Sequence, residues 1–482
     1  MSDGQVGEDR GNDRTAGSEA VAIVGLGASG LAAARLALVR GGGSVYVSDL
    51  KTDAQTDARA ADLRELGARV ELGAHDVARI AQAGVVVVSP GIPPDAPVLR
   101  QLRSRDVRWI SEPEYACRFY QGSLIAVTGT NGKTTTAALA AHLLEAAEIS
   151  AALGGNVGVG LAPAASELAL MHPPPQWYVL EMSSFQLADT QRMAPDIGVV
   201  TTLAPDHLDR YPDVEHYYRD KARLFQNARP RDHWVLNGEV DAVRALPGDA
   251  PGTRCLFAHD PGQVEEALPS AFVREGMLTL RWPADAGQEP TEERLAASAR
   301  LRVLGRHNVL NALAAALTAR VAGASPQAIS DGLESFQPLP HRMQPVLDRA
   351  GVLWVDDSKA TNVDAARSAV ESLDRSLVVI LGGRDKGEDF RPLARALRSR
   401  ARLAILYGEA GGRLERELTD ELGPDLPVVR VHSGFDAAVE RAASEARAGD
   451  VVLLSPACSS FDLFSDYRER GRRFAELAGR GP

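Results

Sequence analysis

The sequence predicts an α/β protein of three domains, each a largely parallel sheet flanked by helices. Short apolar runs recur along the 482 residues, and many are followed by an amphipathic stretch, the alternation that builds parallel sheets with crossover helices. Two segments break the alternation, a polar stretch at 111–123 and a proline-rich one at 336–345, and these read as a linker and a hinge. The length is also that of about three domains at roughly 150 residues each. The expected layout is a disordered tail over 1–18, then domains over 19–119, 120–338 and 339–482.

In the first domain, "VAIVGLG" (21–27), "SVYVSD" (44–49) and "VVVVSPG" (85–91) read as buried parallel strands. Between the first two, Leu31, Ala34 and Leu38 fall at helical spacing before a glycine stop. The turn "GLGASG" follows a strand and opens that helix, and Asp49 ends the next strand. Such a unit binds a pyrophosphate on backbone N–H groups, here of Gly27 and Ser29, and a ribose on the acid. NAD and a uridine diphosphate share both groups, so the motif leaves both open. Ser89 to Gly91 adds a donor turn at the same crevice, and Lys51 is a further candidate contact or a solvated charge.

The second domain opens with the strand "LIAVTGT" and the helical pattern "TTTAALAAHLLEAAE". Between them "TGTNGKTTT" ends like a triphosphate loop, although Val127 stands where the usual first glycine would be. Backbone N–H groups of Gly129, Thr130, Asn131, Gly132 and Thr135 can cradle phosphates. Lys133 can reach the β- and γ-phosphates, and Thr134 can ligate Mg²⁺. Glu181 ends the strand "WYVLE", where a carboxylate can hold a cation. His207 follows the strand "IGVVTTL", and Lys221 reads locally as part of a solvated helix face. Residues 238–303 read as mixed strand and loop. A clear helix returns at 306–323, with Leu310, Leu313, Ala314, Leu317 and Val321 on one face.

In the third domain, "DDSKATN" (356–362), "GGRDKGEDF" (382–390) and "SPACSSFDLF" (455–464) each follow an apolar strand. A parallel sheet gathers such loops at one edge. They offer cations (Lys359, Lys386), hydroxyls (Thr361, Ser459, Ser460) and the nearby ring of Tyr467, a set suited to a small dicarboxylic amino acid.

Composition narrows the classes. Lys and Arg number 53 against 64 Asp and Glu, a net charge of −11, which argues against bulk nucleic-acid binding. No run approaches the length of a membrane span, and the start has no apolar signal core. Three scattered cysteines carry no metal spacing and fit a reducing cytoplasm.

The loop "TGTNGKTTT", then "DHLDRY" with "YRDKARLFQN", then "GRHNVLN", "LPHR", "DSKATN" and "LSPACSSFD" resemble the Mur ligase family, specifically its D-glutamate-adding members. The resemblance runs from about residue 20 to 479. It implies a Rossmann-like UDP-binding domain, a central P-loop-type ATPase domain and a Rossmann-like amino-acid-binding domain. It further implies ATP-dependent joining of D-glutamate to UDP-N-acetylmuramoyl-L-alanine through an acyl phosphate, in cytoplasmic peptidoglycan precursor synthesis. Implied catalytic groups are Lys133, Glu181, His207 and a carbamylated Lys221, with two Mg²⁺ held by Thr134, Glu181, His207 and Lys221. Asn311, Arg342 and Asp357 are implied ATP contacts, and Asn156 lies toward the muramoyl nucleotide together with Gly27, Ser29, Asp49, Lys51, Ser89 and Gly91. Thr361, Lys386, Ser460 and Tyr467 would take D-glutamate. A monomer is expected. One departure is Thr202, where the family often has Asn. The rival readings are a folylpolyglutamate synthase, an NAD-dependent oxidoreductase and a non-catalytic nucleotide sensor.

Overall fold

The computed structural model describes residues 19–41, 43–157, 161–207, 210–283, 290–423 and 426–480; the tail expected at 1–18 lies outside them. The chain forms two compact units, Met1–Ser123 with Ala152–Ala194, and Leu124–Ala151 with Pro195–Pro482.

The first unit is built on strands β1 (Val21–Val24), β2 (Val45–Asp49), β3 (Arg69–Leu72), β4 (Val85–Val88) and β5 (Ile110–Ser111). They pair in the order β3-β2-β1-β4-β5, all parallel. Every residue of β1 and β4 is buried, which is why both read as unbroken apolar runs. The strand order reverses between β1 and β4, so the turn after β1 and the turn after β4 flank one crevice.

The segment read as a linker is not one. Glu112–Cys117 is a helix, and Glu112 to Ala116 are buried. Its polar look comes from two carboxylates consumed as backbone acceptors. Glu112 accepts from the Ser166 N–H, and Glu114 accepts from the N–H groups of Arg192 and Met193 at 2.9 Å each.

The second unit holds two sheets. Strands β7 (Ala151–Gly155) and β8 (Trp177–Glu181) fall at or beyond its boundary in sequence. Its own central strands are β6 (Ser123–Thr128), β9 (Ile197–Val200), β10 (His233–Asn237), β11 (Thr253–Phe257), β12 (Ser270–Arg274), β13 (Met277–Trp282) and β14 (Thr291–Ala297). They run β14-β13-β12-β11-β10-β9-β6, parallel from β6 to β12 and antiparallel at the far edge. The weakly patterned 238–303 segment thus supplies β11 to β14: β11 and β12 continue the parallel order, and β13 and β14 close the edge antiparallel.

The helix Arg306–Val321 differs from the one-faced helix the spacing suggested. Leu310 to Ala319 are all buried. It packs on the strands β9 to β12 on one side and on the helices Lys133–Ala146 and Pro326–Ser335 on the other. Its alanines permit that close approach all round.

The last sheet comprises β15 (Gln344–Arg349), β16 (Val352–Asp356), β17 (Leu377–Gly382), β18 (Ala401–Tyr407), β19 (Val428–Arg430) and β20 (Val451–Leu454). Its order is β15-β16-β20-β17-β18-β19, parallel except at β15. The strands that precede the three polar loops, β16, β20 and β17, are therefore immediate neighbours.

Burial pushes the Glu112 carboxyl up from 4.5 to about 7, against the weaker opposing pull of Ser166. A raised carboxyl pKa contributes stability that is full below about pH 4.5 and lost as pH rises through 7. Glu112→Gln keeps an acceptor for Ser166 and removes the titration. Between pH 5 and pH 8, urea unfolding should show the native protein losing up to about 3 kcal/mol that the variant keeps. Parallel losses in both proteins would refute this.

Candidate nucleotide and amino-acid site

The loop after β6 is shaped before any ligand arrives. Gly129 sits at φ +143°, and a Cβ there would meet Thr201 Oγ1 at 2.1 Å. Gly132 caps the helix Lys133–Ala146 at φ +85°, and a Cβ there would meet Asn311 Oδ1 at 2.4 Å. Both glycines are required by backbone sign and by space. The end of β9 splints the loop: Thr130 N–H donates to Thr202 O at 2.7 Å, and Asn131 N–H to Thr202 Oγ1 at 2.9 Å. Thr202, the departure from the family pattern, thus holds the loop through its hydroxyl, and the N–H groups of Thr130 and Asn131 are consumed here rather than left to cradle phosphate as expected. The N–H groups of the helix start face outward with the positive end of the dipole behind them.

Two lysines converge on this loop. Lys133 Nζ donates to Gly129 O at 3.0 Å and Thr130 O at 2.7 Å. Lys221, 1% exposed, donates to Gly129 O at 2.8 Å and lies 4.6 Å from the centre of the Tyr217 ring. The expected solvated helix face is therefore wrong for Lys221: the helix Val214–Ala222 turns it inward. His207, at φ +56°, donates its N–H to Asp206 Oδ1 at 2.8 Å. Asp206 is buried; although burial opposes it, His207, Lys386 and the Asn362 amide together hold its carboxyl below the usual range.

A cleft beside the loop is lined by Gly132, Thr135, Phe257, His307, Asn311 and Asp357, among others. Asn311 donates to Asn308 Oδ1 at 3.0 Å, and Asn308 to Leu304 O at 2.7 Å, so the pair is fixed. Arg342 Nη2 donates to Thr134 Oγ1. Asp357 accepts from Ser455 Oγ at 2.9 Å and from Met343 N–H at 3.2 Å, while burial pushes its pKa up to about 7. Asn131 Nδ2 donates to Asp364 Oδ2, and Asn362 Nδ2 to Asp206 Oδ2, both at 2.9 Å. These two bonds join the phosphate-type loop and the His207 loop to the end of the loop after β16 and the first turn of the helix Val363–Glu371.

The three loops of the last sheet meet as expected. Arg384 bridges to Ser459, and Ala457 N–H donates to Ala360 O at 3.0 Å. Their common anchor is Arg470, with no measurable exposure. Its guanidinium donates to Ser358 Oγ and O at 2.9 and 2.8 Å, to Cys458 O at 3.2 Å and to the Tyr407 hydroxyl at 3.3 Å. Lys359 Nζ lies 4.1 Å from the centre of the Tyr467 ring. Lys386 sits among Asp206 and Glu388, whose carboxyl burial raises to about 7. Thr361 and Ser460 occupy the other two loops.

In the first unit, Gly25 stands at φ +95° and Gly30 leaves no room for a Cβ, which would meet Gly25 O at 1.9 Å. Gly27 begins the helix Ala28–Arg40, which contains Ser29. Asp49 accepts from the N–H groups of Leu26 and Lys51, and Ser89 Oγ donates to Gly25 O at 3.0 Å, with Gly91 just beyond. Asp49 therefore braces the glycine turn as well as ending β2. Asn156 Nδ2 donates to Glu181 Oε1 at 3.0 Å, and Glu181 is 2% exposed at the end of β8.

Three family models match the chain: Mur ligase MurD-like N-terminal domain over 19–111, Mur ligase middle domain over 127–319, and Mur ligase glutamate ligase domain over 341–458. The chain belongs to the Mur ligase family. Full-length relatives within it include the UDP-N-acetylmuramoylalanine--D-glutamate ligases of Acidobacterium capsulatum, 39% identical with 95% of each chain covered, and Desulfatibacillum aliphaticivorans, 39% identical with 96% of this chain and 98% of that one. Among solved Mur ligase structures, the UDP-N-acetylmuramate-alanine ligase of Thermotoga maritima shares the fold at TM-score 0.57 and 21% identity, covering 96% of this chain and 100% of that one. The pseudomurein peptide ligase type C of Methanothermus fervidus does so at TM-score 0.59 and 18% identity, with the same coverage.

Sequence reasoning missed Asp206, Asn362, Asp364, Glu388 and Arg470. Each lies within or near a motif, yet each acts on a partner far along the chain. Arg470→Ala would leave buried carbonyls of Ser358 and Cys458 unpaired, and should destabilise the protein by on the order of 3 kcal/mol in urea unfolding. A loss under about 0.5 kcal/mol would show that the loops hold without it.

Proposed function

We propose that this Mur ligase couples ATP cleavage to amide formation between UDP-N-acetylmuramoyl-L-alanine and D-glutamate. The observation that carries this is the preshaped loop 129–134, with Lys133 at a helix start and Arg342 and Asp357 beside it, next to an amino-acid-type cluster of loops. Full-length relatives carry the corresponding ligase name.

The chemistry follows from charge. The alanyl carboxylate attacks the γ-phosphorus of ATP, ADP departs, and an acyl phosphate forms. The amine of D-glutamate then attacks the acyl carbon, loses a proton, and expels phosphate. In the first step an anion approaches a polyanion, so the loop N–H groups and Lys133 stabilise charge that grows on the phosphoryl oxygens. Lys133 exchanges its contacts to Gly129 and Thr130 for phosphate oxygens. Asn308 and Asn311 are assigned to the adenine side, and Arg342 with Asp357 to the rest of ATP. Lys386, Thr361, Ser460 and Tyr467 are assigned to D-glutamate. The turn after β1, with Gly27, Ser29, Asp49, Lys51, Ser89 and Gly91, is assigned to the uridine diphosphate, and Asn156 to the muramoyl part. The enzyme is proposed to act as a monomer in the cytoplasm; among the described residues no helix is long and apolar enough to cross a membrane.

Mg²⁺ would neutralise phosphate charge. Thr134, Glu181, His207 and Lys221 are its proposed ligands. An ammonium at Lys221 cannot ligate a cation, whereas a carbamate would present two oxygens to a hard metal.

A phosphate-release assay with ATP, Mg²⁺, the muramoyl-alanine nucleotide and a panel of amino acids tests the reading, and release with D-glutamate is expected. Phosphate release with none of the panel would overturn it. Lys133→Ala should lower kcat by on the order of 10²-fold or more. Lys221→Ala should be inactive and partly rescued by short carboxylates, whereas full activity without them would remove the carbamate.

A further inference from the structure

Lys386 is assigned above to the carboxylate of the incoming amino acid, but a lysine on a loop is a flexible cation on an unpinned stem. The loop that carries it, between β17 and the helix Arg391–Arg400, is not unpinned. Arg413, on the helix Gly411–Leu422, donates from Nη1 to both carboxylate oxygens of Asp385 at 2.9 Å. From Nη2 it donates to the main-chain oxygen of Glu388. One guanidinium thus grips the loop on both sides of Lys386.

The grip is itself held. Arg413 Nε donates to Glu417 Oε1 at 2.6 Å, and Glu417 Oε2 accepts from the Phe390 N–H at 3.0 Å. The guanidinium lies 5.0 Å from the centre of the Phe390 ring. Near the loop's start, Ala410 N–H donates to Gly383 O at 2.8 Å. Near its end, Glu388 Oε2 accepts from the Val363 N–H at 3.0 Å, which ties the Lys386 loop to the segment carrying Thr361.

We propose that Arg413 is a positioning residue for amino-acid capture: its two-sided clamp on Asp385 and Glu388 sets where Lys386 meets the substrate carboxylate. This rests on the assignment of Lys386 to D-glutamate. A planar five-donor fork is what the arrangement needs, since a lysine at 413 would reach one anchor and release the other. The bland alternative is a partly buried ion pair that adds little to stability and nothing to binding.

The two separate kinetically, in the full-length enzyme, by phosphate release with D-glutamate and ATP varied in turn. Arg413→Ala should raise the KM for D-glutamate by on the order of ten-fold and leave the KM for ATP within about two-fold. Arg413→Lys should recover only part of the loss. Asp385→Asn, which weakens one anchor while keeping its shape, should shift the same KM in the same direction, and serves if Arg413→Ala folds poorly. In a Lys386→Ala background, Arg413→Ala should add no further change. An unchanged D-glutamate KM in Arg413→Ala, an equal rise for ATP, full rescue by lysine, or additive effects with Lys386→Ala would each overturn the clamp. If Lys386→Ala itself leaves the D-glutamate KM unchanged, it is the amino-acid assignment that fails, and the clamp falls with it.

Discussion

The chemistry proposed for this protein depends on one constraint: the backbone after β6 must hold the N–H groups of the helix start outward without help from a phosphate. Two glycines make that path possible, since side chains at 129 and 132 would collide with Thr201 and Asn311. One threonine makes it stable, because the adjacent strand end supplies Thr202 O and Oγ1 to the N–H groups of Thr130 and Asn131. A loop already in its binding shape spends little of the substrate's binding energy on ordering. The distant glycine of the commoner triphosphate loop is not needed for this. Val127 lies within the strand, fully buried, and the bend begins after it.

Around that loop, one cation is kept in reserve on main-chain oxygens. Lys133 donates to the carbonyls of Gly129 and Thr130. Carbonyls hold a charge more weakly than a carboxylate does, so a lysine held this way can be drawn off by a phosphate. The carboxylates nearby are treated in the opposite way. Asp357 and Glu388 are buried enough that both are pushed up to about 7, which limits the negative charge facing an incoming polyanion.

The strand framework was legible because parallel strands buried on both faces must be apolar, and β1, β4, β17 and β20 announce themselves that way. The loops after β16, β17 and β20 were legible as a group for the same reason: parallel neighbours point the same end at one edge. The helix Glu112–Cys117 was not, because its buried glutamates serve backbone N–H groups of residues 166, 192 and 193 that no local pattern reveals. Lys221 looked solvated beside Arg219 and Arg223, and only the packing of Tyr217 and Gly129 turns it inward. Family resemblance pointed to Asn311 and Arg342, which line the cleft beside the loop. It did not supply Asp206, Asn362 or Arg413, whose roles lie in contacts between segments distant in sequence.

Arg470 separates two jobs that a binding surface usually mixes. It secures the bases of the loops after β16 and β20 through Ser358 and Cys458 and reaches Tyr407 at the end of β18, while Thr361, Lys386 and Ser460 sit farther along their loops. A side chain exchanged at 361 or 460 leaves those two bases gripped, because the guanidinium holds main chain and Ser358 rather than the tips. Supporting the sheet edge and decorating it are thus tasks given to different atoms.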